Sequence, residues 1–181
     1  MAALARVLTG DAEPGGRLPF TVPAAETDVP VARPTADRVH YDEGLEVGYR
    51  AYDRRGIEPA FPFGHGLGFA ALTWSDARIL ADARGIRASA LVTNTSKHDG
   101  VAVPQLYVTS PGGHRALRGF DSVRVPAGAS VAIDIEVPLD DLAGYSADGW
   151  RIAPGEHRVE LATSSRTSIH EARVDVLGHA E

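Results

Sequence analysis

Asp42 and Glu43 are the residues best typed for chemistry, because two carboxyl groups can divide nucleophilic and acid/base work between them. Such a pair operates about 5–5.5 Å apart. Neighbouring side chains of an extended segment point to opposite faces, so adjacency places these two badly, and they read as hydrogen-bonding or capping residues. Seven histidines (40, 65, 98, 114, 157, 170 and 179) are scattered, no pair has the helical i, i+4 spacing of zinc sites, and there is no cysteine to assist. His65, between Gly64 and Gly66, reads as a packed hydrogen-bonding residue. Ser164-Ser165 falls in a turn without a Gly-x-Ser-x-Gly elbow, and Gly15-Gly16-Arg17 lacks the Lys-Ser/Thr of a phosphate loop. Trp74 and Trp150 could stack on sugar rings, but apolar neighbours make core or sheet packing the expected role of both. The residues therefore assign no catalytic, cofactor-binding or metal-binding site, and no cofactor.

The elements around these residues are organised by the stretch 41–66. Tyr41, Tyr49, Tyr52, Phe61 and Phe63 crowd there, although the whole chain has only 5 Tyr, 5 Phe and 2 Trp. Aromatic side chains bury large areas, so this stretch must pack against a surface. Gly44, Gly48, Gly56, Gly64 and Gly66, with Pro59 and Pro62, forbid a long helix or strand, which makes it an irregular connector between two parts of the chain. Its candidate site residues are structural: Tyr41, Glu43, Tyr49, Arg50, Tyr52, Phe63 and His65.

The segments Tyr41-Asp42-Glu43-Gly44, Val47-Gly48-Tyr49-Arg50, Tyr52-Asp53 and Pro62-Phe63-Gly64-His65-Gly66-Leu67 resemble the end of the catalytic part of family-3 glycoside hydrolases of the β-glucosidase type. Gly16-Arg17-Leu18-Pro19-Phe20-Thr21 resembles an earlier segment of that family, in the expected order. Leu117-Arg118-Gly119-Phe120, Pro126-Ala127-Gly128 and Pro154-Gly155-Glu156 resemble motifs of its fibronectin type III-like domain. The resemblance implies a nucleophilic Asp in an N-terminal barrel and an acid/base from an earlier part of the second domain. Neither motif occurs in this sequence, so neither role is carried over.

Composition narrows the remaining classes. Hydrophobic residues at 44% and charged residues at 23% are those of a folded globular chain. The net charge of −6 divides evenly, −3 over residues 1–66 and −3 over 67–181, and no basic run is present to neutralise phosphates. Nucleic acid is therefore excluded as an expected partner. No apolar run reaches membrane-spanning length, and Met1–Leu8 is too short for a signal-peptide core, so the chain as written is expected in the cytoplasm without membrane attachment. Homo-oligomerisation is allowed by this composition and not specified by it.

Residues 2–8 predict the last turns of a helix stopped at Gly10, followed by a turn over 11–17. Leu18–Pro23, proline-bounded, predicts an edge strip, and 24–40 a loop. Neither Leu4, Val7 and Leu8 nor Leu18 and Phe20 have an evident neighbour, so residues up to about 40 are expected to be poorly placed without a partner. Strands are predicted over 68–77, 86–94, 101–109, 117–125, 157–163 and 169–177. Val131, Ile133, Ile135 and Val137 alternate with Ala132, Asp134 and Glu136, the pattern of a half-buried antiparallel strand, and Leu139–Gly144 predicts a helical turn. Seven or eight strands at this spacing predict a mostly β, two-sheet antiparallel sandwich over 67–181, and the resemblance implies that it is immunoglobulin/fibronectin type III-like. Residues 1–66 predict an irregular arm, which the resemblance implies comes from the edge of an α/β domain.

With the resemblance, this predicts a C-terminal accessory and stabilising portion of a β-glucosidase-like hydrolase, inactive alone. Its expected partners are the missing catalytic domains of a parent or split glycosidase. The alternative is a free-standing sandwich module that binds a glycan or a protein.

Overall fold

The computed structural model describes residues 2–29, 36–147 and 149–177. Helix α1 (Ala2–Leu8) ends where Gly10 takes φ +81°, the left-handed stop that glycine accepts without a Cβ penalty. Helix α2 (Tyr49–Arg55) lies inside the stretch expected to be irregular. The expectation fails because seven residues free of Gly and Pro sit between two glycines, Gly48 (φ +56°) and Gly56 (φ +61°), that bound a helix instead of forbidding one.

The sandwich opens with β1 (Leu72–Asp82) and β2 (Gly85–Asn94), then β3 (Gly100–Ala102), β4 (Gln105–Thr109), β5 (Arg115–Phe120) and β6 (Val123–Val125). It closes with β7 (Ser130–Pro138), β8 (Gly144–Ser146), β9 (Gly149–Arg151), β10 (Gly155–Ser164) and β11 (Thr167–Val176). One sheet has the order β1-β2-β7 and the other β11-β10-β4-β5, with two-stranded ribbons β3-β6 and β8-β9. Every pairing is antiparallel.

The core is the one the alternation predicts. Ile86, Ala88, Ala90 and Val92 of β2 and Ile133, Ile135 and Val137 of β7 face Leu106, Val108, Val159 and Leu161 of the other sheet, all buried. Each large side chain there contributes about 1.5–3 kcal/mol through burial. Gly119 lets β5 approach closely, since a Cβ there would lie 2.7 Å from Ile135 Cγ2. The turn after β7 is the short 3-10 helix Leu139–Leu142.

Strand limits depart from expectation in three places. The first strand runs 72–82, not 68–77, because a bulge between Ser75 and Arg78, with Asp76 at φ +53°, absorbs the turn-like Ser-Asp pair and pairing then resumes. The strand expected over 101–109 is two, broken before Pro104, which has no N–H to donate: β3 pairs with β6, and β4 with β10 and β5. The strand expected over 117–125 divides in the same way into β5 and β6. Of the two tryptophans, Trp74 is half-buried against the core as expected. Trp150 is not: in the β8-β9 ribbon it stays 72% exposed.

The arm is not left without neighbours. Residues 13–22 run antiparallel to 61–69: Phe69 N donates to Glu13 Oε2 (3.0 Å), Leu18 N to His65 O (2.8 Å), Gly64 N to Leu18 O (2.8 Å) and Val22 N to Phe61 O (2.8 Å). This corrects the expectation for the 18–22 strip, whose partner is the connector itself. Leu4, Leu8 and Phe20 nevertheless stay exposed. The loop expected over 24–40 contains a 3-10 turn, Glu26–Asp28, and its residues 30–35 lie outside the described residues, as does His179. No described helix is long and apolar enough to cross a membrane.

Ile133→Ala and Ile135→Ala are each expected to cost about 2–5 kcal/mol in urea melts, the usual penalty for truncating a buried aliphatic side chain. Asp134, on the other face of β7, accepts from Arg87 Nε at 2.8 and 3.0 Å, and this hydrogen bond holds its carboxyl below the usual range. A depressed folded-state pKa means that its contribution is present at neutral pH and lost as pH falls through the folded value. Asp134→Asn should therefore be less stable than the parent at neutral pH and low salt, with the difference closing in acid and in molar salt.

Candidate functional site

The outward face of β4 and β10 is where the two parts of the chain meet. Leu106 and Val108 point into the core, so Gln105 and Tyr107 point away from it; Glu160 and Ala162 do the same on β10. That face of a sandwich sheet ordinarily meets water. Here Gln105, Tyr107, Glu160 and Ala162 are all buried, because α2 and the connector lie over them.

Tyr49, at the start of α2, is the central contact. Its ring is 5.1 Å from Phe63 and meets Tyr107 edge-on at 5.7 Å, and its hydroxyl accepts the Leu117 N–H at 2.9 Å. That amide lies on β5, at the end of the sheet order, so the phenol completes a backbone group that no strand pairs. Tyr107 donates to Gln105 Oε1 (2.6 Å), and burial pushes its phenol pKa up, keeping it a neutral donor. Gln105 Nε2 in turn donates to Thr163 O (3.0 Å) and Gly64 O (3.4 Å). Gly64 has φ +79°, and a Cβ there would collide with the Gln105 amide, so glycine is required by conformation and by space. Ser165 N donates to Phe63 O (2.9 Å).

A charge cluster fastens the other side of α2. Asp53 receives Arg115 Nη1 on Oδ2 (3.3 Å) and Arg166 Nη1 on Oδ1 (2.5 Å). Arg115 also donates to Glu160 Oε2 (2.6 Å) and Ser165 O (3.2 Å), and its guanidinium lies 3.9 Å from the Tyr107 ring centroid. Arg166 reaches Ile57 O (3.0 Å). Planar guanidinium groups suit this role because one group can serve a carboxylate, a carbonyl and a ring at once. Nearby, Glu46 accepts from Arg54 (2.9 Å) and pairs with His114 Nδ1 (2.8 Å) across to the β4-β5 loop.

Of the connector residues singled out from sequence, Tyr49, Tyr52 and Phe63 come together at this face, with Tyr52 buried. His65 lies on the ribbon with 13–22, its ring 5.2 Å from Phe61 and its backbone bonded to Leu18 and Pro62. Arg50 is half-buried, and its side chain makes no hydrogen bond or ion pair with the described residues. Tyr41 is exposed, and Glu43 sits in a turn, not an extended segment, where Gly44 N donates to Tyr41 O and Glu46 N to Glu43 O. Neither the Asp42 nor the Glu43 carboxylate bonds to a described residue, so the capping role expected of them is absent there.

Sequence reasoning missed Asp53, Gln105, Tyr107, Arg115, Glu160 and Arg166. One signal was present: strand alternation set Tyr107 opposite Leu106 and Val108, and an aromatic on an outer face needs a cover. Chemically this is a docking face. Both Asp53 oxygens accept from guanidinium groups of the sandwich, which makes the residue a link between the two parts of the chain. No three His, Asp or Glu side chains converge to hold a metal ion among the described residues.

Tyr49→Phe is expected to cost about 1 kcal/mol by leaving the Leu117 amide without its acceptor, with faster hydrogen exchange at Leu117 as the specific readout. Gly64→Ala should loosen the same face more broadly, raising exchange at Ser165 and Leu117 together while the core amides of β2 and β7 keep their protection.

The profile of the glycosyl hydrolase family 3 C-terminal domain matches residues 1–69, and that of the fibronectin type III-like domain residues 102–165. A β-glucosidase from Rhizobium radiobacter is 36% identical over 96% of the chain, and the thermostable β-glucosidase B of Acetivibrio thermocellus 35% identical over 96%. The structure of β-glucosidase 3B from Thermotoga neapolitana in complex with α-D-glucose superposes with a TM-score of 0.88 at 33% identity, over 96% of the chain and 26% of that protein. The chain spans about a quarter of these relatives, 23% and 25% of the two curated sequences. In sequence and in fold, the chain belongs to the C-terminal part of the family-3 glycoside hydrolases, with their fibronectin type III-like domain as its sandwich.

Proposed function

We propose that the chain is the accessory, bracing portion of a β-glucosidase-type hydrolase, and that it supplies a docking surface to catalytic domains and no nucleophile of its own. The observation that carries this reading is where apolar surface is left uncovered. Eleven of the sixteen exposed large hydrophobic side chains described lie within residues 4–69, among them Leu4, Leu8, Phe20, Val47 and Phe61. Apolar side chains gathered on one surface mark an interaction site, and of these Phe20, Val29 and Val47 share one groove. Pro19, Phe20, Val29, Val47, Tyr49 and Phe63 line one shallow groove of about 460 Å³ beside the half-buried Arg50. The same arm is fixed to the sandwich through Tyr49 on Tyr107 and Asp53 on Arg115 and Arg166. The arm thus combines contacts already made to the sandwich with apolar surface still uncovered, as a brace between two bodies requires.

The purified chain is expected to show no turnover of an aryl β-glucoside above buffer. Turnover lost on Asp42→Asn or Glu43→Gln would overturn the proposal. A chimera in which this chain replaces the matching segment of the Rhizobium radiobacter enzyme should hydrolyse the same substrate, and Phe20→Asp in the chimera should weaken it. A soluble, folded chimera without activity beside an active parent would count against the bracing role.

A further inference from the structure

The β8-β9 ribbon carries two aromatic side chains that no part of the described fold covers. Tyr145 and Trp150 are cross-strand partners, their rings meet edge-on with centroids 5.4 Å apart, and they are 74% and 72% exposed. A cross-strand aromatic pair helps hold so short a ribbon together. That accounts for the contact between the rings and not for the faces left in water, which forfeit the burial that such rings ordinarily gain. Beside Trp150 lies an open cleft of about 610 Å³, whose lining includes Arg84, Leu139, Asp140, Arg151 and Ile152. The Arg84 and Asp140 side chains make no hydrogen bond or ion pair with described residues. This cleft is separate from the face that fixes the arm, which is built on β4, β5 and β10.

We propose that the Tyr145–Trp150 ribbon and the adjoining cleft form a glycan-binding subsite for a neutral chain of β-linked gluco-configured pyranoses. A pyranose with equatorial hydroxyls presents flat C–H faces to an aromatic ring. Its rim of vicinal hydroxyls needs both a donor and an acceptor, which Arg84 and Asp140 supply. A cleft open at one side admits a chain and not only a single ring. The choice of gluco configuration rests on the hydrolase reading above; the stacking and hydrogen-bonding argument does not.

The test uses the full chain with cellohexaose as probe and maltohexaose as comparison, followed by calorimetry and by tryptophan fluorescence, to which only Trp74 and Trp150 contribute. Saturable binding of cellohexaose is expected, with Trp150 protected from a soluble quencher. Trp150→Ala should weaken binding by about tenfold or more, as loss of a central aromatic contact does. Arg84→Ala and Asp140→Asn, whose side chains bond to no described residue, should weaken it severalfold without moving the thermal midpoint. No saturable binding at millimolar cellohexaose would overturn the proposal, and so would equal binding of both hexasaccharides. Full affinity in the Arg84 and Asp140 variants would overturn it even if Trp150→Ala frayed the ribbon. If Trp150→Ala instead impaired the chimera while the wild-type chain bound no sugar, the ribbon would be a protein contact and the glycan assignment would fall. Failure of the chimera alone leaves the sugar titration readable, so the two readings fail separately.

Discussion

Tyr107 is held on three sides: its hydroxyl donates to Gln105, the Arg115 guanidinium lies over its ring, and Tyr49 meets it edge-on. These contacts form on the side of β4 that points away from the core; the Tyr49 contact comes from the connector, which also covers the two made within the sandwich. The burial of Glu160 and the closure of Asp53 by two arginines follow from the same cover. Charges in this setting are costly unless paired, and each one here is paired. The core is enclosed within the sandwich, whereas the polar face above it is buried by the connector.

How much of this was legible in the residues depends on the range of the interaction. Alternation along a strand is local, so Val131 to Val137 and Ile86 to Val92 disclosed both the strands and their buried faces. Pro104 went unread, since one strand was expected to run through it, and the change of pairing partner from β6 to β10 across it depends on strands far along the sequence. Helix α2 was hidden by glycines read as breakers when they serve as its ends. Among the connector aromatics, composition announced that something must be covered but not which sheet would do it. Asp53 shows the limit most plainly: its partners lie 62 and 113 residues away, and no local pattern reports them. Trp150 erred in the opposite direction, since apolar neighbours in sequence became neighbours in a ribbon that stands in solvent.

The two parts of the chain differ in how far local and global preferences agree. In the sandwich, period, turn chemistry and packing point to one arrangement, the consistency expected of a unit that encloses its own core. In the arm the backbone is provided for, by the 13–22 ribbon and by glycines at helix ends, while side chains such as Leu8 and Phe20 are not. Backbone order without side-chain burial sets the arm apart from the sandwich, in a chain that spans about a quarter of the relatives it matches.

The span between Asp53 and Arg166 also sets a schedule. A ribosome adds about 5–20 residues per second, so Asp53 emerges several seconds before the arginine that closes on it. During that interval α2 and the aromatic connector have no platform, because β4 gains its β10 neighbour only when the same late segment arrives. Nascent Tyr49, Phe61 and Phe63 must wait in solvent or be sheltered by whatever has already been made. The fastening that joins the two parts of the molecule is thus a timed one: its first half is written early and its second half late, and the arm takes its final position only after the sandwich is nearly complete.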